Sequence, residues 1–152
     1  MGHRVIDGLE WAKPCPRPGG IPVSRSKGAK AQGIRFERAL ARAFPAGRPG
    51  QWWEFRDRNG LGHCQTDIFL PLAGAILVLE AKYTWTPDGH SQIEQLYRPV
   101  IERAMKKPVW GIVVCRNLLS TMPRGVVVTN DPREAGRIAA QGGYVALHWG
   151  GF

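Results

Sequence analysis

The stretch QTDIFLPLAGAILVLEAKYTW, residues 65–85, places charged side chains inside runs that are otherwise apolar. The two runs flank Ala73–Gly74, and this pattern predicts two strands joined by a tight turn. Asp67 and Glu80 are almost equidistant from the turn, so we expect them to lie opposite one another in a hairpin. Because side chains alternate between the faces of a strand, Glu80 and Lys82 should share one face.

Two adjacent carboxylates repel one another unless a proton or a cation lies between them. Mg²⁺ is a suitable cation, since it binds through one or two carboxylates together with water and substrate phosphate oxygens. Lys82 beside such a metal would orient or help to deprotonate an attacking water and stabilise the charge that develops on phosphorus. The alternative is a plain ion pair at a strand end, in which Lys82 neutralises Glu80 or Asp67.

Charge composition points to a polyanionic partner. The 152 residues contain 21 Lys and Arg against 12 Asp and Glu, which gives a formal net charge of +9. A basic field of this size attracts nucleic acid first. The three cysteines form no close pair, which argues against a disulfide framework and favours a reducing compartment. Without an apolar signal core or a membrane-length apolar run, the chain is predicted to be cytosolic and to make no membrane contact.

The length predicts one domain. Residues 1–26 are expected to be a basic arm rich in Pro and Gly, and residues 27–152 a single folded domain. Residues 34–44 predict a helix that turns Phe36, Leu40, Ala43 and Phe44 to one face and Arg35, Arg38 and Arg42 outward, with Glu37 at the border of the apolar stripe.

The remaining elements predict an α/β fold. Strands are predicted at 51–56, 65–72 and 75–85 as a meander, then a helix at 91–107 that Pro99 must kink, strands at 108–119 and 125–130, a helix at 133–143 and a strand at 144–149. Asp131 and Pro132 should begin the last helix, and Gly142 should end it. This order predicts an α/β sandwich with a central mixed β-sheet flanked by helices.

Four of these features together resemble the PD-(D/E)xK nuclease superfamily. They are Glu37 in the helix GIRFERAL, Asp67 in QTDIFL, Glu-Ala-Lys in LVLEAKYTW, and the Gln-bearing helix SQIEQL. Small size and a basic segment before GIRFERAL resemble the archaeal-type Holliday junction resolvases, which also occur in some phages. The resemblance covers residues ~27 to ~118. It implies a restriction-endonuclease-like fold and a metal-dependent endonuclease that leaves 5′-phosphate and 3′-hydroxyl ends.

The resemblance also implies roles for individual residues. The metal ligands would be Glu37, Asp67, Glu80 and the carbonyl of Ala81, with Mg²⁺ as cofactor and Mn²⁺ as a substitute. The catalytic lysine would be Lys82, and the glutamine that lies near the site in the family would be Gln95 or, as second choice, Gln92. Two positions depart from the pattern: Thr66 stands where the motif has proline, and the loop before Asp67 offers only Asn59 and His63 where resolvases carry a serine.

Several other side chains have two alternative roles. His63 is either a ligand or leaving-group acid or, as we prefer, a solvated loop residue. Trp52, Trp53 and Trp85 would either stack on opened bases or fill the core, and we expect core for one of Trp52 and Trp53. His3, His90 and His148 show no ligand spacing, so no zinc site is predicted, and no nucleotide-binding motif is present.

The sequence therefore predicts an Mg²⁺-dependent endonuclease for branched DNA, most specifically the four-way junction. Phosphate contacts are expected from seven cations: Arg25, Lys27, Lys30, Arg35, Arg38, Arg56 and Arg58. Two opposed cuts require a two-fold homodimer, whose interface we expect at YVALHWGGF and VWGIVV. The site of action would be the cytoplasm, or a host's cytoplasm for a phage protein. The alternatives are another PD-(D/E)xK nuclease of repair or restriction, and a non-catalytic basic DNA-binding module.

Overall fold

A computed structural model describes residues 3–19 and 29–150, with the side chains of residues 29 and 30 outside the description. Its strands are β1 Trp11–Cys15, β2 Arg48–Pro49, β3 Trp52–Asp57, β4 Gly60–Gln65, β5 Ile68–Pro71, β6 Ile76–Thr84, β7 Val109–Asn117, β8 Val126–Thr129 and β9 Tyr144–His148. Its helices are α1 Ala29–Ala43, α2 Pro87–Gln92, α3 Arg98–Met105 and α4 Pro132–Ala140, with a π-helical segment Ile93–Tyr97 between α2 and α3.

A six-stranded mixed sheet has the order β2-β5-β6-β7-β9-β8. The β5–β6 pair is the antiparallel hairpin that the sequence predicts, closed by a bond from Leu72 N to the Ala75 carbonyl around the Ala73–Gly74 turn. From β6 onward the neighbouring strands are parallel. Parallel strands need covering on both faces, and the apolar runs of β6 and β7 supply side chains for both. The predicted α/β sandwich with a mixed central sheet is confirmed.

Two hydrophobic cores lie on opposite faces of this sheet. On one face, α1 and α4 pack over Ile68, Leu79, Ile112 and Val114. On the other, the helical segment from residue 87 to 105 and a second sheet pack over Phe69, Val78 and Val113 and related residues. Glu80 and Lys82 alternate with Leu79 and Ala81 and therefore belong to this second face.

The second sheet has three antiparallel strands in the order β1-β3-β4. The predicted meander of three strands is therefore wrong, because β3 pairs with β1 and β4 and leaves only β5 and β6 in the hairpin. The sequence does not predict strand β4, because GLGHCQ contains two glycines and few apolar residues, a composition typical of a loop. The predicted strand at 65–72 begins too early for the same reason: Gln65 ends β4, and β5 begins at Ile68.

Residues 1–26 are predicted to be a basic arm outside the folded domain, yet Trp11–Cys15 form β1 against β3. The chain before β1 also packs, with Ile6 and Leu9 against the core. Pro99 explains one contact: since it has no N–H to donate to the Gln95 carbonyl, that carbonyl accepts a bond from Ile6 N at 3.0 Å. Arg4 pairs with the buried carboxylate of Asp57. Of the arm predicted at residues 1–26, residues 1, 2 and 20–26 lie outside the described residues.

The predicted helices are present, but only the last one has the predicted ends, since α1 begins at Ala29 instead of residue 34 and the second helical segment begins at Pro87 instead of residue 91. In α4, Asp131 caps the first turn by accepting from Arg133 N, and Gly142 ends the helix at φ 82°. The helix predicted at 91–107 is divided into α2, the π-helical segment and α3. The π-helical segment ends at Tyr97, and Pro99 is the second residue of α3. In α1, Phe36 and Leu40 are buried as predicted, but Ala39 is buried and Ala43 exposed, because the helix turns its 36–39–40 side to the sheet.

Most of the expected dimer interface at VWGIVV and YVALHWGGF is buried inside the protein, although Tyr144 is 45% exposed and residues 151 and 152 lie outside the described residues. Strand β7 lies inside the sheet, with Ile112, Val113 and Val114 buried by the two helical layers. In β9, Val145, Ala146 and Leu147 are buried in the same way. Their apolar character serves the two cores. Across the described ranges 3–19 and 29–150, no helix is long and apolar enough to cross a membrane.

Close packing of the π-helical segment on β7 makes Gly111 sensitive to substitution. A Cβ at Gly111 would lie 2.6 Å from Cγ2 of the buried Ile93. We expect Gly111→Ala to lower the free energy of unfolding by about 1–3 kcal/mol, measured by urea denaturation. Gly136→Ala is the control, because a Cβ there meets no atom within 4 Å, and it should raise stability by about 0.5–1 kcal/mol. Equal effects of the two changes would contradict this packing.

Candidate active site

The β5–β6 register brings the first two carboxylates together. Ile68 lies opposite Leu79, so the next position pairs Asp67 with Glu80, as the sequence predicts. Ala81 N donates a hydrogen bond of 2.8 Å to Asp67 Oδ2. Gly50 N donates to the Asp67 carbonyl at 3.0 Å, so both the side chain and the backbone of Asp67 are held where β5 begins.

Glu37 reaches this pair from the other helical layer. It stands one residue after the buried Phe36 in α1, and its carboxyl group is close enough to that of Asp67 for Asp67 to raise its pKa. The pKa of Glu37 is raised to about 8, mainly by burial and in addition by the neighbouring carboxyl group of Asp67. The positive charges of Arg38 and Lys82 oppose this shift and keep the pKa from rising further.

Asp67 and Glu80 form the buried end of the same chain of carboxyl groups. Burial raises the pKa of Asp67 well above its ordinary range, and the neighbouring Glu80 adds to the rise. Burial also raises the pKa of Glu80, which is only 3% exposed. Glu80 Oε2 is buried and has no hydrogen-bond partner in the described part of the chain. Such an orphaned oxygen costs about 1–3 kcal/mol unless a proton or a cation satisfies it.

Lys82 follows Glu80 on the same face of β6. The stem of its side chain lies near α2, since a Cβ built on Gly89 would be 3.4 Å from Lys82 Cγ. Within residues 3–19 and 29–150, the ion pairs closer than 4.0 Å do not include Lys82, so the simple strand-end ion pair is not formed there. Its charge nevertheless opposes the rise in pKa of both Glu37 and Glu80, so the ammonium group acts on the carboxylates through space.

A buried tyrosine that the sequence analysis missed supports this site. Tyr97 Oη donates to the Gln65 carbonyl at 2.8 Å and accepts a bond of 2.8 Å from the amide of Gln92. Burial raises the pKa of Tyr97 well above its ordinary value, and the charges of Glu80 and Asp67 raise it further. Its position four residues after the buried Ile93 was a usable signal for an inward-facing side chain.

The two glutamine candidates point in different directions. Gln95 is exposed, and its amide oxygen lies 2.7 Å from Nε2 of His3 in the N-terminal segment. Since residues two apart on a helix do not share a face, Gln95 points away from Tyr97. Gln92 precedes Tyr97 by one π-helical turn and contacts it, so Gln92 is the glutamine connected to the site.

The donor set suits a hard divalent cation. Three carboxyl groups converge, and the unpartnered Oε2 of Glu80 is a free oxygen donor. In their present arrangement, no three His, Cys, Asp or Glu side chains among the described residues form a ready metal-binding group. Mg²⁺ requires fewer protein ligands than such a group, since one or two carboxylates with water and phosphate oxygens complete its coordination shell. The residues therefore fit Mg²⁺, with Asp67 and Glu80 as the central pair.

The predicted DNA-binding cations fall into three groups. Arg35 and Arg38 are exposed on α1 near the site. Arg56 and Arg58 lie at the far end of the β3–β4 hairpin, where Arg58 pairs with Asp7. Since Trp52 is opposite Gln65, Arg56 is ~13 Å further along the strand and is not brought to the carboxylates. Arg25, Lys27 and the side chain of Lys30 lie outside the described residues.

The loop candidates are not part of the site. His63 lies on β4 with Nε2 2.9 Å from Glu54 Oε2, and it is a strand residue with a partner. Asn59 is in the tight turn between β3 and β4, where its N–H donates to Asp57. Thr66 is fully buried and accepts a bond from Trp53 Nε1 at 3.3 Å. Thr66 therefore holds the approach to Asp67 against the core.

The tryptophans divide between core and surface. Trp53 and Trp85 are buried, and Trp85 Nε1 donates to His90 Nε2 at 3.2 Å. Trp52 is only partly buried. The expectation that one of Trp52 and Trp53 belongs to the core is confirmed, and that residue is Trp53.

Comparison of the chain with protein-family models, with curated proteins and with solved structures found no match.

The raised carboxyl pKa values predict an unusual pH dependence of stability. Between about 4.3, the ordinary pKa of a glutamate, and about 8 for Glu37, the folded protein holds protons that the unfolded chain has released. The contribution of these protons is complete below the ordinary pKa and is lost as pH rises through the folded pKa. In chelator, the free energy of unfolding should therefore fall from pH 5 to pH 8, by at most about 1.4 kcal/mol per pH unit for each proton.

Urea denaturation of wild type, Glu37→Gln and Asp67→Asn at pH 5, 6, 7 and 8 checks this expectation. The variants should show a flatter dependence, because each lacks one shifted group. Glu10→Gln removes an exposed carboxylate and should keep the wild-type slope. Identical slopes in all four proteins would mean that the three carboxyl groups do not share protons.

Proposed function

We propose that this protein is a metal-dependent, structure-selective endonuclease that hydrolyses phosphodiesters in branched DNA, with the four-way junction as its principal substrate. The observation that carries the proposal is the meeting of Glu37, Asp67 and Glu80 beside Lys82. These residues come from α1, the start of β5, and β6. Buried carboxyl groups with raised pKa values next to a lysine are expensive to maintain and are characteristic of catalytic sites.

The carboxyl groups would hold the catalytic metal. Asp67 and Glu80 are the central ligands, with Glu37 from the α1 side and the Ala81 carbonyl completing the protein's share. Bound Mg²⁺, or Mn²⁺ in its place, would supply Lewis-acid polarisation of a phosphate oxygen and a more acidic water. Filling the site would also release the protons that the three carboxyl groups share in its absence.

Lys82 would act on the attacking water and the phosphate. Its ammonium shares a face with Glu80 and is free of ion pairs within the part of the chain that the structure describes. It can therefore donate to a non-bridging phosphate oxygen and hold the water in line with the scissile bond. Tyr97 would keep the Gln65–Asp67 backbone in place, through its bond to the Gln65 carbonyl.

DNA would approach the site across the exposed side of α1. Arg35 and Arg38 project from this helix, and Arg38 is close enough to Glu37 to influence its pKa. Together with the net charge of +9, these cations supply the phosphate attraction that precedes any structural selection. Arg25, Lys27 and Lys30 precede them along the chain and would extend the same contact. The reaction would take place in the cytoplasm, or in a host's cytoplasm for a phage protein.

Paired cleavage of a four-way junction requires two active sites, so the proposal includes a two-fold homodimer. The end of the six-stranded sheet offers a surface, because Val127 and Val128 on the edge strand β8 are 41% and 38% exposed. Tyr144 on the neighbouring β9 is 45% exposed. Edge strands with exposed apolar side chains readily pair with a second copy.

The first test is cleavage by carboxylate variants. Asp67→Asn and Glu80→Gln should each reduce Mg²⁺-dependent cutting of a labelled four-way junction by at least about 100-fold, because each removes a metal ligand. Junction binding should remain or tighten, since a negative charge near the phosphate has been removed. Gel assays with four-way junction, fork and linear duplex measure both activity and selectivity.

Glu10→Gln is the charge-matched control and should cleave at the wild-type rate, because Glu10 is exposed and outside the carboxyl cluster. Cutting by Asp67→Asn at the wild-type rate would reject the metal site. Tight DNA binding without any metal-dependent cutting by the wild type would favour the non-catalytic DNA-binding module. Equal cutting of all three substrates would favour another nuclease of the superfamily.

The dimer is tested by light scattering and by a supercoiled plasmid with an extruded cruciform. A wild-type dimer should linearise the plasmid, whereas Val127→Lys combined with Val128→Lys should give a monomer that yields mainly nicked circles, because charges oppose pairing of the edge strands. Leu119→Lys is the control, since Leu119 is 42% exposed but not on β8. A monomeric wild type that yields mainly nicked circles would overturn the two-fold arrangement.

A further inference from the structure

The three-stranded sheet has one face in the core and one outer face. Phe55, Trp53 and Cys64 belong to the core cluster and occupy the inner face. Their neighbours in sequence alternate outward, so the pairings place Trp52 with Gln65, and Glu54 with His63, on the outer face. We use "outer face" for the side of β1, β3 and β4 that carries these residues.

Solvent reaches this outer face. The side chain of Lys13, opposite Glu54, is 61% exposed, and Leu61 is 48% exposed. His63 and Glu54 retain 26% and 24% exposure although they contact each other. None of these residues belongs to either hydrophobic core, so the face is not a buried packing surface.

Two tryptophans lie on this face among mainly polar side chains. Trp52 lies opposite Cys15, and Trp11 lies opposite Arg56, four residues further along β3. The ammonium of Lys13 is 5.6 Å from the centre of the Trp11 ring. A ring face contacted by an exposed cation is available to a nucleobase once the cation moves to a phosphate. Trp52 is not needed in the core, because Trp53 fills the inner position.

We infer that the outer face binds an unpaired DNA strand, with bases stacked on Trp52 and Trp11 and phosphates held by Lys13 and Arg56. Aromatic side chains interleaved with cations are the common design for single-stranded nucleic acid, because every base has a face that stacks. The inference rests on the proposed function for its choice of DNA as the ligand, and it is independent of the metal chemistry. It specifies the substrate as DNA with an opened or single-stranded segment.

The charges of the outer face agree with a nucleic-acid strand. Its one carboxylate, Glu54, is already engaged by Lys13 at 3.5 Å and by His63 at 2.9 Å. Arg56 is exposed and adds a further positive charge at the other end. An acidic peptide would use the cations but not the ring faces, and an apolar partner would remove the charged row from water without offering it polar contacts.

The outer face also leads into the carboxylate site. Trp52 lies opposite Gln65, the last residue of β4, and the chain then passes through Thr66 to Asp67. Two residues of extended chain span ~7 Å. The end of the outer face that carries Trp52 is therefore the end nearest to Asp67 along the chain, and an unpaired strand stacked there would approach the carboxylates from this end.

Fluorescence anisotropy with labelled oligo(dT) of sixteen nucleotides, in chelator, tests this inference with the full-length protein. Trp52→Ala and Trp11→Ala should each weaken binding by about 5- to 100-fold. Binding to a duplex of the same length should change less than about twofold, because phosphate contacts dominate there. Trp52→Phe should restore most of the affinity, and Leu119→Ala, an exposed apolar residue elsewhere, should bind like the wild type.

Base stacking is checked with an abasic oligomer of the same length, which wild type should bind at least as weakly as Trp52→Ala binds oligo(dT), because both stacking contacts are lost. Unchanged oligo(dT) affinity in both alanine variants, with cutting and duplex binding intact, would overturn this inference alone and leave the outer face to a protein partner. Failure of metal-dependent cutting with the tryptophan effects retained would reject the proposed catalysis and keep this site. Failure of wild type to bind any DNA at low salt would overturn both.

Discussion

The register of the β5–β6 hairpin governs both the core and the candidate site. With Ala73–Gly74 as its turn, the hairpin pairs Ile68 with Leu79 and leaves Asp67 opposite Glu80. A slip of one residue would turn Glu80 and Lys82 toward the α1 and α4 layer and expel Leu79 from it. The bond from Ala81 N to Asp67 Oδ2 exists only in the observed register, and apolar packing and polar geometry therefore select the same pairing.

This register has an energetic consequence at the sheet's centre. It places Glu80 at 3% exposure with an unpartnered oxygen, beside a second carboxyl group that is also largely shielded from water. Burial of charge in this way opposes folding, and shared protons relieve it in the absence of a cation. The surrounding apolar layers supply stabilising free energy that offsets the cost of burying these carboxyl groups. Local violations of the rules for a stable core are expected where a protein carries out chemistry.

The two layers on either side of the sheet contribute to the site in different ways. The α1 layer brings Glu37, which follows directly after the buried Phe36. The opposite layer brings Tyr97, whose hydroxyl group holds the Gln65 carbonyl, and the second sheet brings the strand that ends at Gln65. The same alternation that buries Trp53 turns Trp52 outward, so the second sheet both closes the core and presents a surface next to the carboxylates.

Sequence alone determined the features that depend on local pattern. Strict spacing about a tight turn predicted Asp67 opposite Glu80, and alternation placed Lys82 on the face of Glu80. Helix ends at Asp131 and Gly142 followed from capping chemistry. These predictions succeeded because the interactions that decide them lie within a few residues of one another along the chain. The chemical role of the carboxylates stays a prediction, since residue type and spacing are compatible with an ion pair as well as a metal.

Tertiary structure decided what depends on contacts between distant segments. The strand GLGHCQ has weak local preference and forms because β3 pairs with it, and Trp11–Cys15 become a strand only against β3. The choice of Gln92 over Gln95 depended on the π-helical segment, and the pattern of apolar residues does not distinguish such a segment from an α-helix. The sheet likewise decided that VWGIVV is interior, since apolar composition predicts burial but does not say whether a partner chain or the protein's own layers provide it.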